Sequence, residues 1–143
     1  DALALPKLQA ANMDGVLGSQ MTQFWSPDLD NAQNKKFVDG FKKKYGKYPS
    51  FYAAQSYDTI FMIKDAVEAV KGDLKNMDGM RARMEMADFP SVRGKFNFGK
   101  NHFPIQNFYV RDVVTDADGV WTTKISGIAL ENHQDSYATL CKS

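Results

Sequence analysis

Residues 37–59 constrain the fold of this chain more than any other stretch, because they read as two helices joined by a short extended link. Aromatic side chains recur every four residues from Phe37 to Tyr45 and therefore share one helix face. Gly46 suits the left-handed conformation found just past a helix end, and Pro49 keeps the residue before it extended. We therefore predict a helix ending at Tyr45, an extended crossing at residues 48–50 and a second helix after it.

Elsewhere the sequence changes from helical to strand periodicity, with helices first and strands later. Two glycines weaken the earliest strand, whereas alternating side chains after Pro90 indicate half-buried strands. The predicted elements are a weak strand over residues 14–23, a helix from the capping residues 28–31 to Tyr45, helices over Tyr52–Lys71 and Met77–Ala87, a strand over Gln106–Val114, a hairpin turn at Asp116–Gly119, a returning strand over Val120–Ser126 and a poorly defined tail over Leu130–Leu140. A self-contained α/β domain is hard to close from these parts.

The composition is that of a globular protein. The 143 residues suffice for one ordinary domain, with 43% hydrophobic and 24% charged residues. The formal net charge of +1 argues against an electrostatic nucleic-acid binder. No apolar run approaches the ~20 residues that a membrane span needs, and no signal peptide is visible.

The sequence shows no arrangement typical of an enzyme. The two histidines, His102 and His133, lie in loop-like contexts, and general-base catalysis needs a positioned partner. The sequence contains neither a nucleophile elbow nor a dinucleotide fingerprint nor a Walker-type phosphate loop. We therefore predict that the chain is not an enzyme, with no catalytic residues and no cofactor.

A metal site is not predicted either, although one segment superficially resembles part of a calcium loop. Asp116 and Asp118 would need an acidic ligand two residues earlier and a Glu further on, but Val114 and Ile125 occupy those positions. A hairpin turn is the better interpretation. The single Cys141 can form no disulfide within the chain, so it is either a free thiol or paired outside the chain.

Several blocks give the chain a specific pattern through their order and spacing. They are Trp25-Ser-Pro-Asp-Leu-Asp-Asn31, Lys36-Phe-Val-Asp-Gly-Phe-Lys-Lys-Lys-Tyr-Gly46, Tyr52-Ala-Ala-Gln-Ser-Tyr-Asp58, Val92-Arg-Gly-Lys-Phe-Asn-Phe98 and Asn101-His-Phe-Pro-Ile-Gln106. Together they resemble the C-terminal part of the type I periplasmic solute-binding proteins of ABC transporters, in the branched-chain amino-acid (Leu/Ile/Val) binding group.

This resemblance implies an α/β chain that is the C-terminal portion of a two-lobed type I periplasmic-binding-protein fold, with hinge-linked lobes built of parallel sheets flanked by helices. Residues 1–48 would be part of the second lobe, residues 49–105 part of the first lobe, and residues 106–143 a hinge-crossing hairpin and C-terminal tail. The implied hinge residues are Tyr48, Pro49, Ser50, Pro104 and Ile105. The missing N-terminal portion of the same protein would be a partner of the chain.

The resemblance also implies a loop opening onto the ligand cleft, here Gln9, Ala10, Ala11 and Asn12. Amino-acid-binding members usually carry an acid there for the ammonium of the ligand, and an unpaired ammonium in a water-poor cleft is costly. Neutral amides therefore favour a small aromatic or aliphatic carboxylate; the alternative is that these amides only cap the loop. Trp25 is the other candidate ligand contact, with core packing of both rings of Phe24 and Trp25 as its alternative.

The implied function is the solute-binding component of an ABC-type uptake system in the periplasm. It would close on a small carboxylate or a branched-chain amino acid and deliver it to an ABC permease in the inner membrane, because a ligand that contacts both lobes stabilises their closed state. One alternative is a ligand-sensing domain of a receptor or regulator with the same fold. Another is a small independent enzyme, which would need a clustered histidine and acid site.

Overall fold

The computed structural model describes residues 3–141, which form four α-helices, four strands and two short 3-10 turns. The helices are α1 (Leu5–Ala10), α2 (Ala32–Tyr45), α3 (Phe51–Ala69) and α4 (Met77–Glu85). The strands are β1 (Gln20–Gln23), β2 (Asn97–Phe98), β3 (Pro104–Thr115) and β4 (Trp121–His133). The 3-10 turns lie at Asp14–Val16 and Ala138–Leu140.

Side-chain caps and one glycine set the ends of α2 and the start of α3. The Asn31 side chain accepts a hydrogen bond from the backbone N–H of Asn34 at 2.7 Å. Gly46 follows the last residue of α2 with a φ of 66°, the left-handed geometry that glycine adopts without strain. The Ser50 hydroxyl accepts from the backbone N–H three residues later at 3.3 Å and opens α3. The predicted helix, link and second helix are confirmed.

The sheet is built around β3, which lies between β1 and β4. Strand β2 pairs with the first two residues of β3. Each of these pairs is antiparallel, whereas the family resemblance implied parallel sheets. The tight turn at Asp116–Gly119 joins β3 directly to β4, and such a short connection permits only antiparallel pairing. The predicted α/β class and the hairpin turn are confirmed, and residues 3–141 contain no parallel pair.

Two predicted boundaries are wrong and one helix was not predicted. The weak strand over residues 14–23 is a 3-10 turn followed by a strand of only four residues. The residues around Gln9 belong to α1, which begins with a proline in its first turn, where the missing N–H costs nothing. Strand β4 continues past Ser126 to His133, because β3 offers it partners back to Gln106.

The interior is divided into two clusters of buried side chains. The first core contains Trp25, Leu29, Phe37, Val38, Ala54 and Val92. The second core contains Leu5, Val113 and Trp121. Both α2 and α3 contribute to the first core, so packing does not separate residues 1–48 from 49–105, and that lobe boundary stays a prediction. Within residues 3–141, no helix has both the length and the apolar character of a membrane span.

Candidate functional site

A buried carboxylate on α3 accepts hydrogen bonds from the loop that follows Pro90. Asp58 is 1% exposed. It accepts hydrogen bonds from the Ser91 hydroxyl at 2.6 Å, the Val92 backbone N–H at 2.8 Å and the Arg93 Nε at 2.9 Å. A buried carboxylate is stable only when its oxygens are paired and hydrogen-bonded. These three bonds therefore fix the loop after Pro90 against α3.

Arg93 connects Asp58 on α3 to Gln106 near the beginning of β3. Its Nη1 donates to the Gln106 side-chain oxygen at 3.1 Å. The guanidinium lies 4.1 Å from the centre of the Phe96 ring and 5.6 Å from that of Phe24, distances at which cations are attracted to aromatic rings. The side chain is 10% exposed. We call Asp58, Ser91, Arg93 and Gln106 the crossing network.

The five predicted hinge residues lie in two segments, the link between α2 and α3 and the beginning of β3. Tyr48, Pro49 and Ser50 form the link between α2 and α3, and Pro49 and Ser50 are buried. Pro104 and Ile105 begin β3 and pair with β2. Residues at the ends of helices and strands can absorb changes in φ and ψ between packed bodies, although proline itself can change only ψ. A hinge role for these residues stays a prediction.

Tyr48 connects the link between α2 and α3 to the β3–β4 turn. Its hydroxyl donates to a carboxylate oxygen of Asp116 at 2.8 Å and accepts from the Lys42 Nζ at 3.2 Å. The pKa of Tyr48 is raised, first by burial and then by the bond to Asp116. The pKa of Asp116 is lowered, chiefly by the backbone N–H of Val120 and also by Tyr48. The bond to Tyr48 raises the pKa of Lys42.

Tyr48→Phe should lower the free energy of unfolding by about 0.5–1.5 kcal/mol at neutral pH, because it removes both hydrogen bonds of the half-buried hydroxyl, one to Asp116 and one from Lys42. The pKa of Asp116 is lowered in the folded state, so its carboxylate contributes stability above the ordinary aspartate pKa and loses it as pH falls through the lower folded value. Urea unfolding at about pH 7 and about pH 2.5 should therefore show a smaller difference between variant and parent in acid.

The matched control for this substitution is Tyr45→Phe. Tyr45 ends α2, is 53% exposed, and its hydroxyl has no hydrogen-bond partner among the described residues. Its loss should leave the urea midpoint unchanged at both pH values. Equal effects of the two substitutions would show that the Tyr48 hydroxyl contributes nothing specific.

Among the predicted ligand residues, Gln9 has both amide atoms engaged by the β3–β4 hairpin. Its Nε2 donates to the Gly119 carbonyl at 2.7 Å, and its Oε1 accepts from the Trp121 backbone N–H at 3.0 Å. This is the capping alternative that the sequence left open. Ala10, Ala11 and Asn12 lie exposed at the end of α1. A ligand contact for these four residues stays a prediction.

The remaining candidate, Trp25, lies fully buried in the first core. Its indole N–H donates to the side-chain oxygen of Asn34 at 2.8 Å. The amide group of Asn34 donates in turn to the carbonyls of Ser26, Pro27 and Leu29. The ring therefore packs in the core and positions the turn before α2, as the core-packing alternative describes, and a ligand contact for Trp25 stays a prediction. The structure does not bring Trp25 together with Gln9, which bonds to the hairpin beside the second core.

Arg111 is a buried charge that the sequence did not reveal. Arg111 is 3% exposed, and its Nη1 donates to the Trp25 carbonyl at 3.1 Å and to the Thr123 hydroxyl at 3.3 Å. Its Nε has no partner among the described residues. Burial lowers its pKa, and the charge of Asp28 opposes that shift. The alternation of β3 was the available signal, because Arg111 shares its strand face with the buried Val113.

Metal chemistry finds no support in the side chains that the structure describes. No three or more His, Cys, Asp or Glu residues within residues 3–141 come together in a way that could hold an ion. The described side chains instead place the hydrogen-bonded Arg93 guanidinium beside the rings of Phe24 and Phe96.

Comparison with known proteins decides the family. A sequence profile described as periplasmic binding protein matches residues 2–119. The chain belongs to the periplasmic binding protein family. No curated protein matches the chain at a significant level.

Solved structures resemble this periplasmic binding protein over most of its length. A solute-binding protein of an ABC transporter from R. palustris, in complex with benzoate, is 32% identical with a TM-score of 0.76, covering 90% of this chain and 34% of that one. A leucine-binding protein from Thermotoga maritima is 26% identical with a TM-score of 0.66, covering 86% of this chain and 34% of that one. The chain thus spans about a third of the length of these two proteins.

A third structure supports the fold alone. It is a solute-binding protein of an ABC transporter from Rhodopseudomonas palustris, in complex with 3,4-dihydroxy benzoic acid, and it is 21% identical. Its TM-score is 0.75, and the match covers 94% of this chain and 43% of that one. The predicted membership in the type I periplasmic binding proteins is confirmed.

Proposed function

We propose that this chain is the C-terminal part of the solute-binding component of an ABC-type uptake system. The complete receptor binds a small carboxylate between its two lobes in the periplasm and delivers it to a permease in the inner membrane. The observation that carries this proposal is the family match over residues 2–119, together with the 32% identity to a benzoate-bound solute-binding protein. The proposed partner of the chain is the rest of the same receptor.

The proposed ligand class is a carboxylate without an ammonium group. The α1 segment near the implied cleft carries neutral amides, and the Gln9 amide is already used by the hairpin. An amino-acid ammonium in a closed cleft needs a countercharge. A benzoate-type ligand has no ammonium and therefore needs no acidic partner there; its carboxylate needs cationic or N–H donors instead. The relative in complex with benzoate is consistent with this ligand class.

Mass spectrometry of the protein purified from its own cells tests the proposal. The native mass should lie well above the 16.1 kDa of this chain, because the relatives are about three times longer. Denaturing spectra should show whether the excess belongs to one longer polypeptide or to a second one. Added benzoate should appear as a one-to-one adduct, whereas benzamide, its uncharged analogue, should give none.

The result that would overturn the proposal is a stable, folded monomer of 16.1 kDa that retains no carboxylate. A domain of that kind would have no second lobe to close on a solute. Tight binding of leucine with no binding of benzoate would keep the transport function and overturn the proposed ligand class.

A further inference from the structure

A small cavity beside the crossing network is lined by cationic and amide side chains on its polar side. Its volume is about 70 Å³, and Arg93, Lys95 and Asn107 contribute to its wall. The rings of Phe24 and Phe96 form part of its apolar side. Among the described residues that line it there is no Asp or Glu. We call this cavity the arginine pocket.

Arg93 enters the pocket with unused hydrogen-bonding capacity. A guanidinium carries five N–H groups. The described residues supply acceptors for two of them, at Asp58 and Gln106. These two bonds and the ring of Phe96 hold the side chain in one orientation, so its remaining donors are fixed in place. Preorganised donors of this kind bind an anion with little loss of conformational freedom.

A β-bulge supplies a second donor to the same pocket. The register between β3 and β4 shifts between Gln106 and Phe108, and Asn132 on β4 has a φ of 44°. The backbone N–H of Asn132 donates to the Asn107 side-chain oxygen at 2.9 Å, which leaves the Asn107 amide nitrogen free to donate. Bulges commonly re-aim a side chain in this way.

The net charge of the pocket is positive once the buried ion pair is counted. Asp58 balances Arg93 at 2.9 Å, whereas Lys95 is exposed and has no ionic partner among the described residues. A cavity needs only about 10–15 Å³ to hold one water molecule, so this one has room for a group of a few heavy atoms. A carboxylate group fits these limits, and a guanidinium matches its two oxygens better than any other side chain does.

We propose that the arginine pocket binds a carboxylate group, with Arg93 as the main donor and Lys95 and Asn107 as supporting contacts. The carboxylate is that of a transported acid or of a small free acid. Binding of a transported acid rests on the proposed function, whereas binding of a small free acid does not.

Nuclear magnetic resonance of the arginine side chains in the protein purified at its native length tests this inference. Sodium acetate and sodium benzoate, added at constant ionic strength against sodium chloride, should shift the Arg93 Nε–H resonance with a saturating curve. Lys95→Gln should weaken this binding about two- to fivefold, because it removes one exposed charge. Lys100→Gln, an exposed lysine outside the pocket, should change nothing.

Arg93→Lys should weaken carboxylate binding more than Lys95→Gln does. It keeps a cation beside Asp58 but loses the planar fork, so the affinity for acetate should fall at least about tenfold. Circular dichroism checks that this variant folds. If it does not fold, Lys95→Gln and Lys100→Gln still decide the result through the Arg93 resonance of the parent.

The outcomes separate this inference from the proposed function. Saturation by both acids indicates a free-carboxylate site, and saturation by benzoate alone indicates the carboxylate of the solute. If benzoate binds to the receptor while the Arg93 resonance stays unmoved, the inference is wrong and the function stands. If acetate binds at Arg93 but the native protein is a 16.1 kDa monomer, the function is wrong and the inference stands.

Discussion

Asp58→Ala should lower the free energy of unfolding by about 3–5 kcal/mol, because it leaves Arg93 as a buried charge without its partner. The substitution also removes the acceptor of the Ser91 hydroxyl and of the Val92 backbone N–H, both of which are buried. Unsatisfied buried donors add to the cost. Urea unfolding followed by far-ultraviolet circular dichroism measures the change.

Two further variants make this prediction specific. Asp58→Asn should cost less than alanine, since an amide oxygen can still accept from the Val92 backbone N–H. Asp30→Ala removes the same charge from a side chain that is 89% exposed and whose ionic partner among residues 3–141 is Lys35. It should leave the urea midpoint almost unchanged, because exposed ion pairs contribute little. A loss for Asp58→Ala no larger than that for Asp30→Ala would contradict the role of the crossing network.

The helical part of the fold was predictable because its signals are local. The aromatic spacing from Phe37 to Tyr45, the glycine after it and the Pro49 link each act within a few residues, and the structure has the helix end and the link where the sequence placed them. The hairpin turn at Asp116–Gly119 was predictable for the same reason. Strand lengths were harder to predict, because β4 extends only as far as β3 offers it pairing partners.

The crossing network could not be assembled from the sequence, although Asp58, Arg93 and Gln106 stand in the family blocks. Asp58 and Arg93 are separated by 35 positions, and their bond depends on how the loop after Pro90 folds back on α3. Periodicity identified the strand face of Arg111 but not its burial, since burial depends on the packing of β3 near Trp25. Long-range contacts of this kind carry no local signature.

Gln9 is a second residue whose contacts could not be predicted from the sequence. Its type and position suggested a ligand amide, yet its two hydrogen bonds go to the hairpin at Gly119 and Trp121. An amide can bind a ligand or cap a backbone with equal ease. Only the placement of α1 against the hairpin distinguishes the two uses in this structure, and that placement depends on the second core around Leu5.

Trp25→Ala should lower the free energy of unfolding by about 3–5 kcal/mol, because it empties a fully buried indole site in the first core. Trp25→Phe should cost about 1–3 kcal/mol, since the ring is largely refilled but the Asn34 oxygen loses its donor. Urea unfolding measures both, with Tyr52→Ala, an aromatic side chain that is 57% exposed, as the control of small effect. A core role predicts that Trp25→Phe loses stability and keeps its affinity for benzoate once folded. Unchanged stability with lost affinity would instead return Trp25 to the ligand site.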